Sequence, residues 1–331
     1  MTSKGVRALA PRDAAQHRSV DVSVLVPAKD EADNLIPFME LAAEAFASDP
    51  GTRYEVVVID DGSVDDSWEL LQRLQSQYAF LRAVRHRAKR GIADALRTGY
   101  LHSSGAVLVF YPADLQFKPE DIPRLVAPIL ENRADMVTGF KEGRYEKAFV
   151  SNIYNRLSRT LFNVPVKDLN SVKAYRREVM DALPVRPDWH RYMIVIAAAE
   201  GFTVTEIPVP LYPRNAGKSK FGLSRIPIGV LDMLSVWFDL NFGKKPLLFF
   251  GMLGVGLFAI GFVAGLLALL ALAVQHVGYR WVWTLIQTCL LLGGVLFAAG
   301  ILGEQIAGQR AEVRELRQQL DDLRTSNTRE M

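Results

Sequence analysis

The sequence predicts an α/β domain on a mostly parallel sheet, followed by interfacial helices and a hairpin of two membrane-spanning helices. Three observations carry this. Short apolar, β-branched runs alternate with segments of helical period up to about residue 140. Polar clusters sit at the ends of those runs. Two long stretches without any charge follow residue 245. At 331 residues the chain has room for one large α/β domain and something smaller.

Val22–Val26 reads as the first strand and Leu35–Phe46 as the first helix. Tyr54–Ile59 (Y-E-V-V-V-I) has the length and the β-branched run of a strand covered on both faces, and it runs into Asp60-Asp61-Gly62-Ser63. A helix over Asp65–Gln77, a strand at Phe80–Val84, a helix at Ile92–His102 and a strand at Ala106–Tyr111 continue the alternation. A helix over Pro119–Glu131 and a strand at Asp135–Thr138 complete it. Alternation of this kind builds a sheet with helices on both faces. Ligands then bind outside the carboxyl ends of the strands, where the polar clusters lie.

Pro246–Val274 and Trp281–Leu302 are free of charged residues and long enough to cross a bilayer, with Gln275–Arg280 as a short connector. Gly251, Gly254, Gly256, Gly261 and Gly265 give the first span a surface for close helix approach. Lys244 and Lys245 precede the pair and Arg310, Arg314 and Arg317 follow it, against Arg280 alone in the connector. The positive-inside rule predicts an inner-membrane protein with both termini and the α/β domain in the cytoplasm. Residues 1–20 lack the apolar core of a signal peptide and are expected to be a disordered leader. The α/β domain is expected over 21–223. Residues 224–245, rich in Ile, Val, Leu and Phe with Trp237, are expected to form an amphipathic helix at the lipid surface. The tail, 303–331, carries Ile306, Val313, Leu316, Leu320 and Leu323 at coiled-coil spacing with Arg and Glu between, which predicts a homo-oligomer. The net charge of +3 gives no nucleic-acid footprint, and the lone cysteine, Cys289, rules out a disulfide framework. No G-x-G-x-x-G follows the first strand, against a nicotinamide enzyme.

Several ordered motifs carry a resemblance. P-A-K-D-E-A-D-N-L at Pro27–Leu35, V-I-D-D-G-S-V-D-D-S at Val58–Ser67, R-G-I-A-D-A-L-R-T-G-Y at Arg90–Tyr100 and P-A-D-L-Q at Pro112–Gln116 are similar to those of inverting family 2 glycosyltransferases with the Rossmann-like A-type fold. W-H-R-Y at Trp189–Tyr192 and P-R-N-A-G-K-S-K-F-G at Pro213–Gly222 resemble the branch that uses dolichyl or polyprenyl phosphate, whose bacterial members also carry two C-terminal spans. The resemblance implies a nucleotide-sugar donor (UDP- or GDP-linked), a polyprenyl phosphate acceptor and transfer of a hexose with inversion.

It also implies roles. Pro27, Glu31, Asp60, Asp61, Gly62 and Gly91 would hold the donor, with His190 and Arg191 nearby. Asp60 and Asp61 suit a nucleobase imide and a ribose hydroxyl, and Gly62 lets the backbone turn beside the ligand. Ser63, Asp65 and Asp66 serve equally well as caps of the next helix. Asp114 with Gln116 would hold Mg²⁺ or Mn²⁺, although Pro112 stands where the family's first aspartate is usual. Arg144, Arg214, Lys218, Ser219 and Lys220 would clamp the acceptor phosphate. Asp168 would act as base or orient the sugar. Two alternatives stay open: a catalytically degenerate membrane scaffold, and a processive polysaccharide synthase. For the latter, Gln275 with Arg280-Trp281 has the wrong spacing for the Q-x-x-R-W motif.

Overall fold

The computed structural model describes residues 20–142, 161–162, 166–169, 171–183, 189–213, 226–275 and 280–330. The chain divides into two compact units, one ending at Arg225 and the other beginning at Ile226.

In the first unit the strands are β1 (Val22–Ala28), β2 (Tyr54–Asp60), β3 (Leu81–Arg85), β4 (Val107–Phe110), β5 (Met136–Glu142), β6 (Lys173–Arg176) and β7 (Val204–Pro210). They form one sheet in the order β3-β2-β1-β4-β6-β5-β7. β1, β2, β3 and β4 are mutually parallel, as are β5 and β7, whereas β6 runs antiparallel to both β4 and β5. The helices are α1 (Ala32–Ala47), α2 (Ser67–Gln77), α3 (Ile92–Leu101), α4 (Ile122–Leu130), α5 (Arg177–Ala182) and α6 (Met193–Ala199). Every element expected up to residue 140 is present with ends shifted by a few residues. The sequence reading did not include β6, β7, α5 or α6. β2 is buried at all seven positions, which the β-branched run Val56–Ile59 foretold.

At the amino edge of the sheet, Glu55 is buried within β2 and accepts hydrogen bonds from Ser23 Oγ at 2.6 Å and from the Ser104 backbone N–H at 2.6 Å. A carboxylate removed from water needs such donors, and these fasten the turn before β4 to β1 and β2.

The second unit holds α7 (Ile226–Phe242), α8 (Pro246–Gln275) and α9 (Arg280–Glu330). Pro246–Val274 and Arg280–Val313 are long and apolar enough to cross a membrane, with mean hydropathy 2.8 and 2.2. Their large apolar side chains, among them Phe262, Val274, Leu291 and Val295, are mostly exposed, which suits lipid and not a soluble core. The two helices meet through glycines. A Cβ added to Gly254 would lie 2.8 Å from the Gly293 carbonyl oxygen, and one on Gly293 would lie 2.9 Å from that of Gly254. Glu304 of α9 accepts the Leu247 backbone N–H at 3.2 Å, satisfying a donor in the first turn of α8. α9 runs unbroken for 51 residues, from the second membrane-length stretch into the tail. In α7 Leu231 and Leu234 are exposed while Met233 is buried, and Phe238 and Phe242 pack against Phe249 at 5.3 and 4.9 Å between ring centres.

Candidate active site

The loops at the carboxyl ends of β1 and β2 are laced together. Lys29 Nζ donates to the Gly62 carbonyl at 2.8 Å, the Asp30 N–H to Ser63 Oγ at 2.9 Å, and the Glu31 N–H to Ser67 Oγ at 3.0 Å. Asp65 accepts from the N–H groups of both Ala32 and Ser67, at 3.2 and 3.1 Å. The short polar residues after β2 therefore brace the loop that follows Pro27 and carries Glu31, as well as sitting where helix caps would sit. Asp60 is fully buried; its Oδ1 accepts the Ser63 N–H at 2.8 Å and its Oδ2 lies 3.1 Å from Arg85 Nε.

Asp61 organises a third loop. Its Oδ1 accepts the Arg90 N–H and meets His86 Nδ1, and its Oδ2 accepts the Gly91 N–H, all at 2.8 Å. Burial alone would raise this carboxyl, but the His86 bond and the two backbone donors outweigh it and hold it below the usual aspartate range. His86 Nε2 reaches Thr98 Oγ1 at 2.8 Å, extending the chain of bonds into α3. Gly91 has φ +97°, the left-handed region that side chains avoid. Gly62 has φ +71°, and a Cβ there would lie 2.8 Å from the backbone of Ala88 and Lys89. Two positions thus need glycine so that the loop before α3 can close against the end of β2.

After β4 the segment 111–118 alternates. Tyr111, Ala113, Leu115 and Phe117 are buried, whereas Pro112, Asp114 and Gln116 are half-buried on the other side. Leu115 adopts φ 55°, Asp114 Oδ1 accepts the Gln116 N–H at 3.3 Å, and the Gln116 carbonyl accepts the Tyr212 N–H at 2.9 Å. Asp114 and Gln116 therefore share one face of a loop anchored from beneath by its apolar residues. They offer a carboxylate and an amide oxygen, the hard donors that Mg²⁺ or Mn²⁺ takes. No group of three or more His, Cys, Asp and Glu side chains is placed for a metal among the described residues. The pair suits an ion whose remaining ligands come from a diphosphate and water.

The antiparallel β6 carries the rest. Lys173 pairs in register with Phe110 at the carboxyl end of β4 and with Thr138 of β5. Asp168, just ahead, is buried and ion-paired with Lys141 Nζ at 3.1 Å. The Lys173 side chain is buried, donates to the Ser171 carbonyl at 2.8 Å and lies 5.7 Å from the Phe110 ring centre. Burial pulls its pKa down to about 7; Asp168 opposes the fall and Lys141 adds to it. His190 is buried with its ring edge-on to Phe110. Burial, then the charges of Lys173 and Arg191, lower its pKa to about 3, so the imidazole is neutral at physiological pH. Its Nδ1 and Ser171 Oγ have no hydrogen-bond partner among the described residues.

The fold thus gathers Pro27, Glu31, Asp60, Asp61, Gly62, Gly91, Asp114, Gln116 and Asp168 on loops and strand ends around the carboxyl edge of the sheet, and the short 3-10 helix Trp189–Arg191, which carries His190 and Arg191, sets His190 against Phe110 at the end of β4. Arg144, Arg214, Lys218, Ser219 and Lys220 lie outside the described residues. Sequence reasoning missed three residues that the fold makes prominent. His86 follows a strand end like the other polar residues, so the strand-end rule could have found it. Lys141 lay past the expected end of β5. Lys173 looks like an ordinary strand-edge lysine until its burial is known.

Over residues 23–181 the chain matches the family model described as Glycosyl transferase family 2. It is 30% identical over 303 residues to the undecaprenyl-phosphate 4-deoxy-4-formamido-L-arabinose transferase of Klebsiella pneumoniae, covering 88% of this chain and 90% of the relative. It is 29% identical over 305 residues to the dodecaprenyl-phosphate galacturonate synthase of Rhizobium johnstonii, with 88% of each chain covered. Among solved structures, glucosyl-3-phosphoglycerate synthase of Mycobacterium tuberculosis, bound to Mn²⁺, UDP and phosphoglyceric acid, shares the fold at TM-score 0.53 and 18% identity, over 67% of this chain and 78% of that one. The same enzyme has been solved with Mg²⁺ and UDP, at TM-score 0.52, 18% identity and coverage of 67% and 79%. Motif order, sheet topology and near full-length similarity agree: the chain is a glycosyltransferase and belongs to glycosyl transferase family 2.

Proposed function

We propose that this enzyme transfers a hexose, with inversion, from a UDP- or GDP-sugar to a polyprenyl phosphate such as undecaprenyl phosphate at the cytoplasmic face of the inner membrane. The observation that carries the reading is the similarity to polyprenyl-phosphate sugar transferases over 88% of the chain, a span that takes in membrane-length helices as well as the sugar-transfer domain. Lys244, Lys245, Arg310, Arg314 and Arg317, set against Arg280, support cytoplasmic termini. Trp237, whose ring packs against Phe242 at 5.7 Å between ring centres, lies close in sequence to Lys244 and Lys245 and fits the head-group belt, which supports an interfacial α7. Self-association through the tail belongs to the same reading.

In the reaction an acceptor phosphate oxygen forms the new bond to the anomeric carbon as the bond from that carbon to the nucleoside diphosphate breaks. A phosphate monoester has its second pKa near 6, so at neutral pH it is already largely ionised and needs no strong base. Asp168, held by Lys141, then serves better as an oriented carboxylate for the sugar than as a proton acceptor. Asp60 and Asp61 set the loops that receive the nucleotide. Arg144, Arg214, Lys218, Ser219 and Lys220 supply cations and a hydroxyl for the acceptor phosphate. Asp114 and Gln116 would hold Mg²⁺ or Mn²⁺, which when bound neutralises charge on the leaving diphosphate. Rate enhancement in this scheme comes chiefly from positioning and leaving-group stabilisation.

The test is purified protein in detergent with undecaprenyl phosphate and a panel of UDP- and GDP-sugars, the lipid product being followed by mass. Product with one donor, lost on metal chelation and in Asp114→Asn, supports the scheme. Folded, nucleotide-binding protein that turns over no donor would replace it with a non-catalytic scaffold.

A further inference from the structure

The tail of α9 carries an apolar stripe, exposed at its described residues, whose chemistry names its occupant. At 1.5 Å per residue the 51 residues of α9 extend about 76 Å, more than twice the roughly 30 Å hydrocarbon core, so the helix continues well past the bilayer. On that extension Ile306, Val313 and Leu316 are about half exposed. Setting Ile306 at position a of a heptad puts Val313, Leu320 and Asn327 at a, and Gln309, Leu316 and Leu323 at d. β-Branched residues at a with leucine at d favour two strands, and a lone asparagine at a fixes register.

The flanking positions decide direction. Arg310, Arg317 and Arg324 occupy every e position, and Gln305, Glu312 and Gln319 the g positions before them. Two parallel strands bring each g residue to the e residue five places on in the partner, which pairs Glu312 with Arg317 and the glutamines with the other arginines. Two antiparallel strands would set e against e, arginine facing arginine. The membrane imposes the same choice: copies inserted in one orientation send continuous helices out of the same side. Fewer than four heptads would associate weakly alone, but spans confined to one bilayer raise the effective concentration of their tails.

We propose that residues 306–327 form a parallel, in-register, two-stranded coiled coil with a second copy of this chain. The proposal rests on the self-association included in the proposed function, and adds its stoichiometry, direction and register.

The test uses the full chain in nanodiscs, with mass measured per particle and with cysteine oxidation in a Cys289→Ala background. Two copies per particle are expected. Val313→Cys at position a should give a disulfide-linked dimer, while Gln318→Cys at the outer f position should not. Arg317→Glu or Glu312→Arg alone should weaken association by about tenfold, and the two together should restore it, since each reversal changes two symmetric pairs. A single copy per particle at all concentrations overturns tail association itself. Association that persists without the Val313→Cys link, or that the double reversal fails to restore, keeps the oligomer and overturns the parallel seam. Three or four copies held through the tail overturn the two-stranded form.

Discussion

Replacing Lys173 with methionine removes a buried amine while keeping an unbranched chain of similar length. In the folded protein burial takes this amine from 10.5 down to about 7, so at about 1.36 kcal/mol per pH unit its protonation costs the fold about 5 kcal/mol. Below pH 7 the amine is charged both folded and unfolded, and the cost is fully present. Between pH 7 and 10.5 the unfolded chain binds a proton that the folded chain has released, so stability rises with pH. From pH 7, where the folded amine is already half deprotonated, to pH 9 the wild type should gain about 2 kcal/mol relative to Lys173→Met. For a unit of about 200 residues that is a relative shift of roughly 4–8 °C in Tm. At pH 7 the variant should be at least as stable as wild type, because the lost hydrogen bond to the Ser171 carbonyl contributes only about 1 kcal/mol. The assay is thermal unfolding of both full-length proteins in detergent at half-unit steps from pH 6.5 to 9.5; the difference between the curves cancels every other titrating group. Parallel curves, or a gap that moves the other way, would refute the buried, proton-releasing lysine.

His190 titrates on the acid side: with its pKa lowered to about 3, stability present above pH 6.5 should fall as pH drops from 6.5 toward 3, and His190→Phe should flatten that limb of the melting curve. Asp61→Asn deprives the Arg90 and Gly91 N–H groups of a charged acceptor; calorimetry should show nucleoside diphosphate binding about 10- to 100-fold weaker, and an unchanged Kd would remove Asp61 from the donor loop. Gly62→Ala combines a left-handed φ with a Cβ placed 2.8 Å from backbone, so a loss of about 2–4 kcal/mol is expected in chemical denaturation. Gly254→Leu should separate the membrane hairpin, read as a lower detergent melting temperature, with Gly256→Leu as control because nothing lies within 4 Å of that position.

The sequence was informative wherever a single element decides its own fate. β2 is apolar at nearly every position because both its faces are covered, and that shows in Tyr54–Ile59 without any knowledge of its neighbours. The charge-free runs after Lys245 are legible for the same reason: a solvent of hydrocarbon leaves its mark residue by residue. The strand-end rule then located Asp60, Asp61 and Asp114, since parallel strands deliver their carboxyl ends to one edge whatever their order.

What the sequence alone left undecided depends on who sits beside whom. β6 is four residues long and runs against its neighbours, so no period announces it, yet its reversal carries Lys173 to the end of β4 and Asp168 toward Lys141. The carboxylates of the D-D-G motif looked alike in the chain. Only the fold separates Asp60, turned to Arg85 and the Ser63 N–H, from Asp61, which holds the loop before α3. Local composition determined the class of fold and the membrane-length helices, and ordered motifs carried the resemblance to the family. Burial and the electrostatics that follow from it are properties of the packed whole, and tertiary structure alone decided which lysine is buried, which histidine stays neutral and which aspartate is an anchor.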